Sequence, residues 1–280
     1  MPKHRIMPCI WSDQQAGETA KHYADAFPET VVRINTPMVV TVDIAGQTFM
    51  ILNGGPKYQP NPTVSFFVVM ESNAEIDRAF SVLSSGGKVM MHLQAYPWSE
   101  YYAWVQDRFG VSWQLFRGSR EAMGGSLLPS LMFTGSQAGK AEEAISLYTS
   151  VFPDSGIIDI SRYEPGEQDI TGTIKHGRFR INGQTFTAMD SSHMHGFRFT
   201  EGISLVITCD TQVEIDHYWD RLCEGGEEGN CGWLKDRYGL SWQVVPAILP
   251  KLMADPEKSP RVTALFMQMK KFDLERLLTA

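Results

Sequence analysis

Residues Trp104–Phe116 read WVQDRFGVSWQLF, and residues Trp233–Val245 read WLKDRYGLSWQVV. Seven of the thirteen positions are identical: Trp, Asp, Arg, Gly, Ser, Trp and Gln. A repeat of this kind organises a fold before any local signal does. Further matches keep the same order in both halves. Val64–Gly87 aligns with Ile203–Gly226, so that Glu75, Ile76 and Asp77 fall on Glu214, Ile215 and Asp216. Ile44–Asn53 (IAGQTFMILN) aligns with Ile181–Asp190 (INGQTFTAMD), and Tyr23–Thr30 with Tyr148–Ser155. Two homologous domains are therefore expected, over residues 1–120 and 128–248, joined by a linker at Arg117–Ser130 and followed by a helical extension over 249–280.

Length and composition agree with this division. The chain has 280 residues, enough for about two domains, with 43% apolar and 20% charged residues. Its net charge of −7 argues against a nucleic-acid or anionic-membrane surface, both of which call for a basic patch. The four cysteines, Cys9, Cys209, Cys223 and Cys231, form no C-x-x-C pair. MPKHRIMPCIW lacks the apolar run of a signal peptide, and no stretch approaches a membrane span. The expectation is a cytoplasmic protein with free thiols.

Each half divides again. A short apolar strand, a helix and further strands follow one another twice per half, giving four βαβββ-like modules of α+β class. Val64–Met70 is an unbroken apolar run, as in a strand covered on both faces. Ser72-x-x-Glu75 and Thr211-x-x-Glu214 read as capping boxes opening equivalent helices. Asn182-Gly183 is a strong signal for a two-residue hairpin turn. It sets Ile181 opposite Gln184, Arg180 opposite Thr185, Phe179 opposite Phe186, Arg178 opposite Thr187, and His176 opposite Met189. Val262–Ala280 has helical periodicity outside the repeat and is expected to be a helix packing across the domains.

Leu131–Ile157, His176–Asp190 and Cys231–Pro246 resemble the PhnB-like branch of the vicinal oxygen chelate superfamily, the glyoxalase/bleomycin-resistance/dioxygenase fold. The resemblance covers nearly all of the second half and, more loosely, the first. It implies two tandem glyoxalase/dihydroxybiphenyl-dioxygenase-like domains, each of paired βαβββ modules curved around a cup, packed as an internal pseudo-dimer, with a homodimer left open. Members of the branch are often labelled 3-demethylubiquinone 3-methyltransferase. The glycine pairs of this chain build no G-x-G-x-x-G turn for a nucleotide or S-adenosylmethionine, which speaks against methyl transfer.

In metal-using members of the superfamily, the last-strand ligand sits four residues past a turn glycine. Here those positions hold Met50, Gln114, Thr187 and Gln243, none a carboxylate or imidazole. The first strands of the modules carry no His, Asp or Glu. A divalent ion wants several hard oxygen ligands, or three protein N, S or O donors for catalytic zinc. No metal and no cofactor are therefore expected.

Strand alternation puts His176, Arg178, Arg180, Thr185, Thr187 and Met189 on the cup face, with Phe179 and Phe186 behind. It likewise puts Ser241 and Gln243 in the second cup while Trp242 packs in the core. Gln243 either contacts a bound molecule or bonds to Arg178 or nearby backbone. Arg178 and His176 suit an anionic ligand; Arg180, near the turn, projects to solvent. In the first half the cup face takes Val39, Thr41, Asp43, Thr48, Met50 and Leu52, so the second cup is the more basic. His193 and His195 fall in a solvated loop, Cys231 lies near cations that would lower its thiol pKa, and Lys235, Asp236 and Arg237 read as an ion-pair cluster. The first half carries a ten-residue insertion before Trp104 that brings Trp98, Tyr101 and Tyr102. The leading reading is a metal-independent small-molecule-binding protein whose pocket lies mainly in the C-terminal cup. Two alternatives stand beside it: a metal-dependent lyase, isomerase or dioxygenase, and a drug-sequestering resistance protein using the inserted aromatics.

Overall fold

The structure, a computed structural model, describes residues 6–280. Residues 1–5, part of the stretch read for a targeting signal and the start of the expected first domain, lie outside the described residues. Four modules follow one another. The first is β1 (Met7–Ser12), α1 (Ala16–Ala26), β2 (Val31–Asn35), β3 (Val39–Ile44) and β4 (Gln47–Asn53). The second is β5 (Val64–Met70), α2 (Asn73–Ser84), β6 (Lys88–Tyr96), β7 (Ser99–Gln106) and β8 (Ser112–Arg117). A short helix α3 (Arg120–Met123) leads to the third: β9 (Leu127–Thr134), α4 (Ala141–Val151), β10 (Gly156–Arg162), β11 (Ile174–Ile181) and β12 (Gln184–Ser191). The fourth is β13 (Ile203–Cys209), α5 (Gln212–Cys223), β14 (Glu227–Glu228), β15 (Trp233–Lys235) and β16 (Ser241–Pro246). Three short helices end the chain: α6 (Leu249–Ala254), α7 (Ser259–Phe266) and α8 (Leu274–Leu278). No helix among the described residues is long and apolar enough to cross a membrane.

The chain forms two compact units, Met7–Ile203 and one comprising Ser204–Ala280. The first unit holds an eight-stranded sheet of order β10-β11-β12-β9-β5-β8-β7-β6. Its centre is the antiparallel pair β5–β9, with Val64 opposite Leu131 and Ser65 opposite Ser130. Both strands are buried along their whole length. The second and third modules therefore share a sheet, where residues were expected to group half by half. Modules joined by a short connection end up adjacent, and two fully buried strands each need a partner for the edge that their own module leaves open. The expected linker is correspondingly shorter, because Leu127–Ser130 belongs to β9.

Local signals translate directly into geometry. Both capping boxes form, with Ser72 and Thr211 each accepting from the N3 backbone N–H. The Asn182-Gly183 turn has φ of 51° and 72°, the left-handed pair that a two-residue hairpin of this type demands. The register from Ile181–Gln184 through Arg178–Thr187 is the expected one. The first-half hairpin at Ala45-Gly46 likewise pairs Val39 with Leu52, Thr41 with Met50 and Asp43 with Thr48.

The repeated sentence is explained by its aspartate. Asp107 is buried and accepts four bonds: Phe109 N at 2.9 Å, Val111 N at 3.0 Å, the Trp113 indole Nε1 at 2.9 Å and the Tyr23 hydroxyl at 3.0 Å. Asp236 does the same for Tyr238 N (2.9 Å), Leu240 N (3.1 Å) and the Trp242 indole (2.9 Å). One carboxylate thus closes the turn and fixes the orientation of a fully buried indole. A turn-stabilising ion-pair cluster of Lys235, Asp236 and Arg237 was expected; Asp236 does close the turn, through backbone and indole N–H groups, while Arg237 pairs with Glu224 at 3.3 Å. Both tryptophans sit in the core. Trp113 packs against Tyr23, Phe27 and Phe66 with ring centroids 5.0, 5.2 and 5.3 Å away.

The single helix expected over Val262–Ala280 is broken. Between α7 and α8 the chain turns its carbonyls outward: Met269 O accepts from Cys231 N at 2.8 Å and Lys270 O from Gly232 N at 2.7 Å. Gln212 brackets the same stretch, donating to Phe272 O and accepting from Leu274 N. Carbonyls engaged outside the helix cannot continue it. The tail packs on the fourth module, with Lys271 2.8 Å from Asp216 of α5.

Burial pushes the Asp107 carboxyl up to about 6, against the four donated bonds that lower it. An acid raised in the fold contributes stability that is complete below about pH 4 and is lost as pH rises through about 6, on the order of 3 kcal/mol for a shift of about two units. Urea unfolding across that range is expected to show this slope in the wild type and to lose it in Asp107→Asn. An unchanged slope in the variant would place the proton elsewhere.

Candidate functional site

The concave face of the eight-stranded sheet is set by alternation and register. Ser65 lies opposite Ser130 and beside Ser112, Thr187 beside Ser130, and Arg178 opposite Thr187. One face therefore collects a polar row across five strands. Gln114 sits at its centre. Its Nε2 donates to Ser65 Oγ at 2.8 Å and Ser130 Oγ at 3.4 Å, and its Oε1 accepts from the Tyr102 hydroxyl at 2.7 Å. Around this row lies an apolar lining of Phe67, Val69, Tyr102 and Leu128, with Met91, Trp104, Phe116 and Met123 packed against it. The Trp104 indole donates to Ser112 Oγ at 2.6 Å.

Tyr102 comes from the ten-residue insertion, which forms the long β6–β7 hairpin. Tyr96 stacks on Trp98 at 5.0 Å and meets Tyr102 edge-on at 5.7 Å. The hairpin thus closes one side of the cup with aromatic surface. Trp98 remains exposed, and the Tyr101 hydroxyl turns away to Asp77.

The linker closes another side. Arg178 donates Nη1 to Ala122 O at 2.9 Å and approaches Met123 Sδ at 3.8 Å. Its Nε donates to Asp159 Oδ2 at 2.8 Å, and Nη2 reaches the same oxygen. Thr185 Oγ1 donates to Gly124 O at 3.2 Å. Gly124, at φ 80°, passes so close that a Cβ there would stand 2.7 Å from Thr185 Oγ1. The arginine expected to greet an anion is therefore occupied by a carboxylate and by the linker. His176 is half-buried on the same strand, and burial holds its imidazole below the usual value, leaving it neutral at neutral pH. Arg180 is exposed, 3.4 Å from Asp154.

Gln243 and Ser241 lie on β16, which pairs with β13 and β15. Arg178, His176 and Thr187 share their sheet with Gln114, so the grouping of these three with Gln243 in one cup is corrected. The cause is the β5–β9 pairing. Gln243 Nε2 donates to Ser204 Oγ at 2.9 Å, the counterpart of Gln114 on Ser65. Its Oε1 has no equivalent of Tyr102, because β14 and β15 are short where β6 and β7 are long. Among the described residues nothing donates to that oxygen, and the buried Ser241 Oγ also has no partner. Met50 lies on β4 between Thr41 and Cys9, and Thr41 Oγ1 is buried without a partner.

Sequence reasoning missed Ser65 and Ser130, and it named Tyr102 among the inserted aromatics without its bond to Gln114. Ser65 and Ser204 stand at equivalent places in the repeat, which was the available signal; Ser130 was read as linker. Two smaller expectations change. Burial pushes the Cys231 thiol up, and its Sγ faces Met267 Sδ at 3.8 Å. His195 is tied to Ser191 Oγ at 2.7 Å and stacks on Phe197, while His193 and Met194 in that loop are exposed.

The fold family implies a divalent metal at four positions, here Met50, Gln114, Thr187 and Gln243. An amide already bonded on both ends, an amide held by Ser204, a buried hydroxyl and a thioether make a neutral, mostly committed donor set that does not fit a hard divalent ion. Among the described residues, no group of three or more His, Cys, Asp or Glu is placed to hold a metal.

Removing the Tyr102 hydroxyl leaves the buried Gln114 oxygen without a donor. Tyr102→Phe is expected to lower stability by about 1 to 2 kcal/mol in denaturant unfolding, with no loss in Tyr101→Phe, whose hydroxyl is at the surface.

No curated protein sequence matches the chain. Among solved structures, a PhnB protein from Bacillus cereus, described as a putative 3-demethylubiquinone-9 3-methyltransferase, is 27% identical over 41% of this chain and 100% of its own, with a TM-score of 0.38. Glyoxalase I from Zea mays is 13% identical over 90% of this chain and 95% of its own, with a TM-score of 0.57, a likeness of fold. A family model described as 3-demethylubiquinone-9 3-methyltransferase matches twice, over residues 4–116 and 125–245. The chain thus belongs to this PhnB-like family of the glyoxalase-like vicinal oxygen chelate superfamily, as a tandem duplication.

Proposed function

We propose that the protein binds a polar small molecule without a metal, and that its principal contacts are Gln243 and Ser241 in the fourth module. One observation carries the reading: the two equivalent glutamines are unequally satisfied. Gln114 is closed off by Tyr102, whereas the Gln243 amide oxygen and the Ser241 hydroxyl are left without protein partners. The buried Ser241 hydroxyl left so is costly, about 1 to 3 kcal/mol, unless something supplies the missing bond. A ligand with an N–H or O–H donor fits the amide oxygen, and the serine accepts or donates as needed. The cup around Gln114, already filled by its hairpin and linker, is the structural copy. Arg178 contributes to that closure through Asp159 and Ala122, so an anionic ligand is no longer its natural partner.

A thermal-shift screen of small polar molecules tests this. Ligands that raise the wild-type Tm are expected to lose their effect on Gln243→Ala and to keep it on Gln114→Ala. Equal responses from both variants would remove Gln243 from the site. Elemental analysis after dialysis is expected to find no stoichiometric metal; retained metal at one per chain would overturn the metal-free reading.

A further inference from the structure

A cavity lies at the end of β5, next to the short helix α3. It has a volume of about 640 Å³, within the range of small-molecule sites. It opens between the end of α1, the β3–β4 turn, the end of β5 and the start of α2. Pro28, Ala45 and Ala74 contribute accessible apolar surface over the buried Phe27, Val68 and Met70, and Arg78 and Arg120 supply positive charge.

The two arginines are unusually free. The Nε–H of Arg120 is buried without a hydrogen-bond partner, and the side chain's ion pair, Nη2 to Glu75 Oε1, is long at 3.7 Å. Glu75 is itself committed elsewhere: its Oε2 closes the capping box on Ser72 N at 3.2 Å. Arg78, one turn along α2, makes no hydrogen bond or ion pair among the described residues. The Arg120 guanidinium, part-exposed beside Arg78 in the cavity wall and only loosely paired with Glu75, matches a carboxylate through charge-assisted bonds from its outer nitrogens. Glu29 and Glu75 also line the cavity, so two arginines stand against two glutamates. That balance tolerates one added negative charge and repels a polyanion.

We propose that this cavity is a binding site for a small amphipathic monocarboxylate, with its apolar body on Pro28, Ala45 and Ala74 and its carboxylate on Arg120 and Arg78. The site is separate from the one read at Gln243.

Isothermal titration of the full chain with decanoate, below its micellar concentration, and with decan-1-ol as the uncharged control tests the proposal. Saturable one-to-one binding of decanoate is expected. Arg120→Ala and Arg78→Ala should each weaken it about tenfold and leave decan-1-ol unaffected. Ala74→Phe, which fills the cavity, should abolish both. Guanidinium midpoints verify that each variant is folded, and Arg120→Gln replaces Arg120→Ala if the latter is not. The proposal falls if the wild type shows no saturable binding. It also falls if the arginine variants bind decanoate as the wild type does, if binding survives Ala74→Phe, or if Gln243→Ala removes it.

Discussion

The antiparallel pairing of β5 with β9 is the constraint from which the first unit follows. Both strands are mostly apolar and buried along their length, so each is covered on both faces and paired on both edges. Their own modules supply one neighbour each, β8 and β12 in parallel. The remaining edges find one another across a short linker. Once they pair, Ser65, Ser130 and Thr187 form a continuous row, and Gln114 from one half lies beside residues of the other. Cup membership follows from edge pairing and cuts across the duplication.

Within that frame the doubled sentence has two separate jobs. Its aspartate, glycine and second tryptophan build a turn and anchor a buried indole, and both copies do this alike. Its glutamine faces the other side of the strand. There the two copies have diverged through a feature that lies outside the sentence: the insertion lengthens one hairpin and delivers a tyrosine hydroxyl to one glutamine. Identical local sequence thus yields a satisfied amide in one place and an incompletely satisfied one in the other.

The linker shows a similar change of role. Arg117–Ser130 contains glycine, serine and charged residues that suit a connection. In the fold its middle forms α3, whose carbonyl and methionine rest on Arg178, while Gly124 makes a close approach that no side chain permits. An arginine that looks available on a strand diagram is thereby taken up. The converse holds for Arg120, which lies on the same helix and keeps a buried Nε–H without a partner.

Much of the architecture was legible in the amino-acid order. The four modules, both capping boxes, the Asn182-Gly183 turn and the full register around Arg178 and Thr187 depend on neighbours within a few residues, and local chemistry suffices for them. The neutral character of Met50, Gln114, Thr187 and Gln243 was equally plain. Strand alternation also assigned the tryptophans to the core correctly. Tertiary structure alone decided which module pairs with which, that Tyr102 meets Gln114, that Asp159 and the linker occupy Arg178, and that the tail breaks at Met269–Asp273 to serve the turn at Cys231. Each of these turns on contacts between residues far apart in the chain, where many partners are chemically acceptable and only the packed fold selects one.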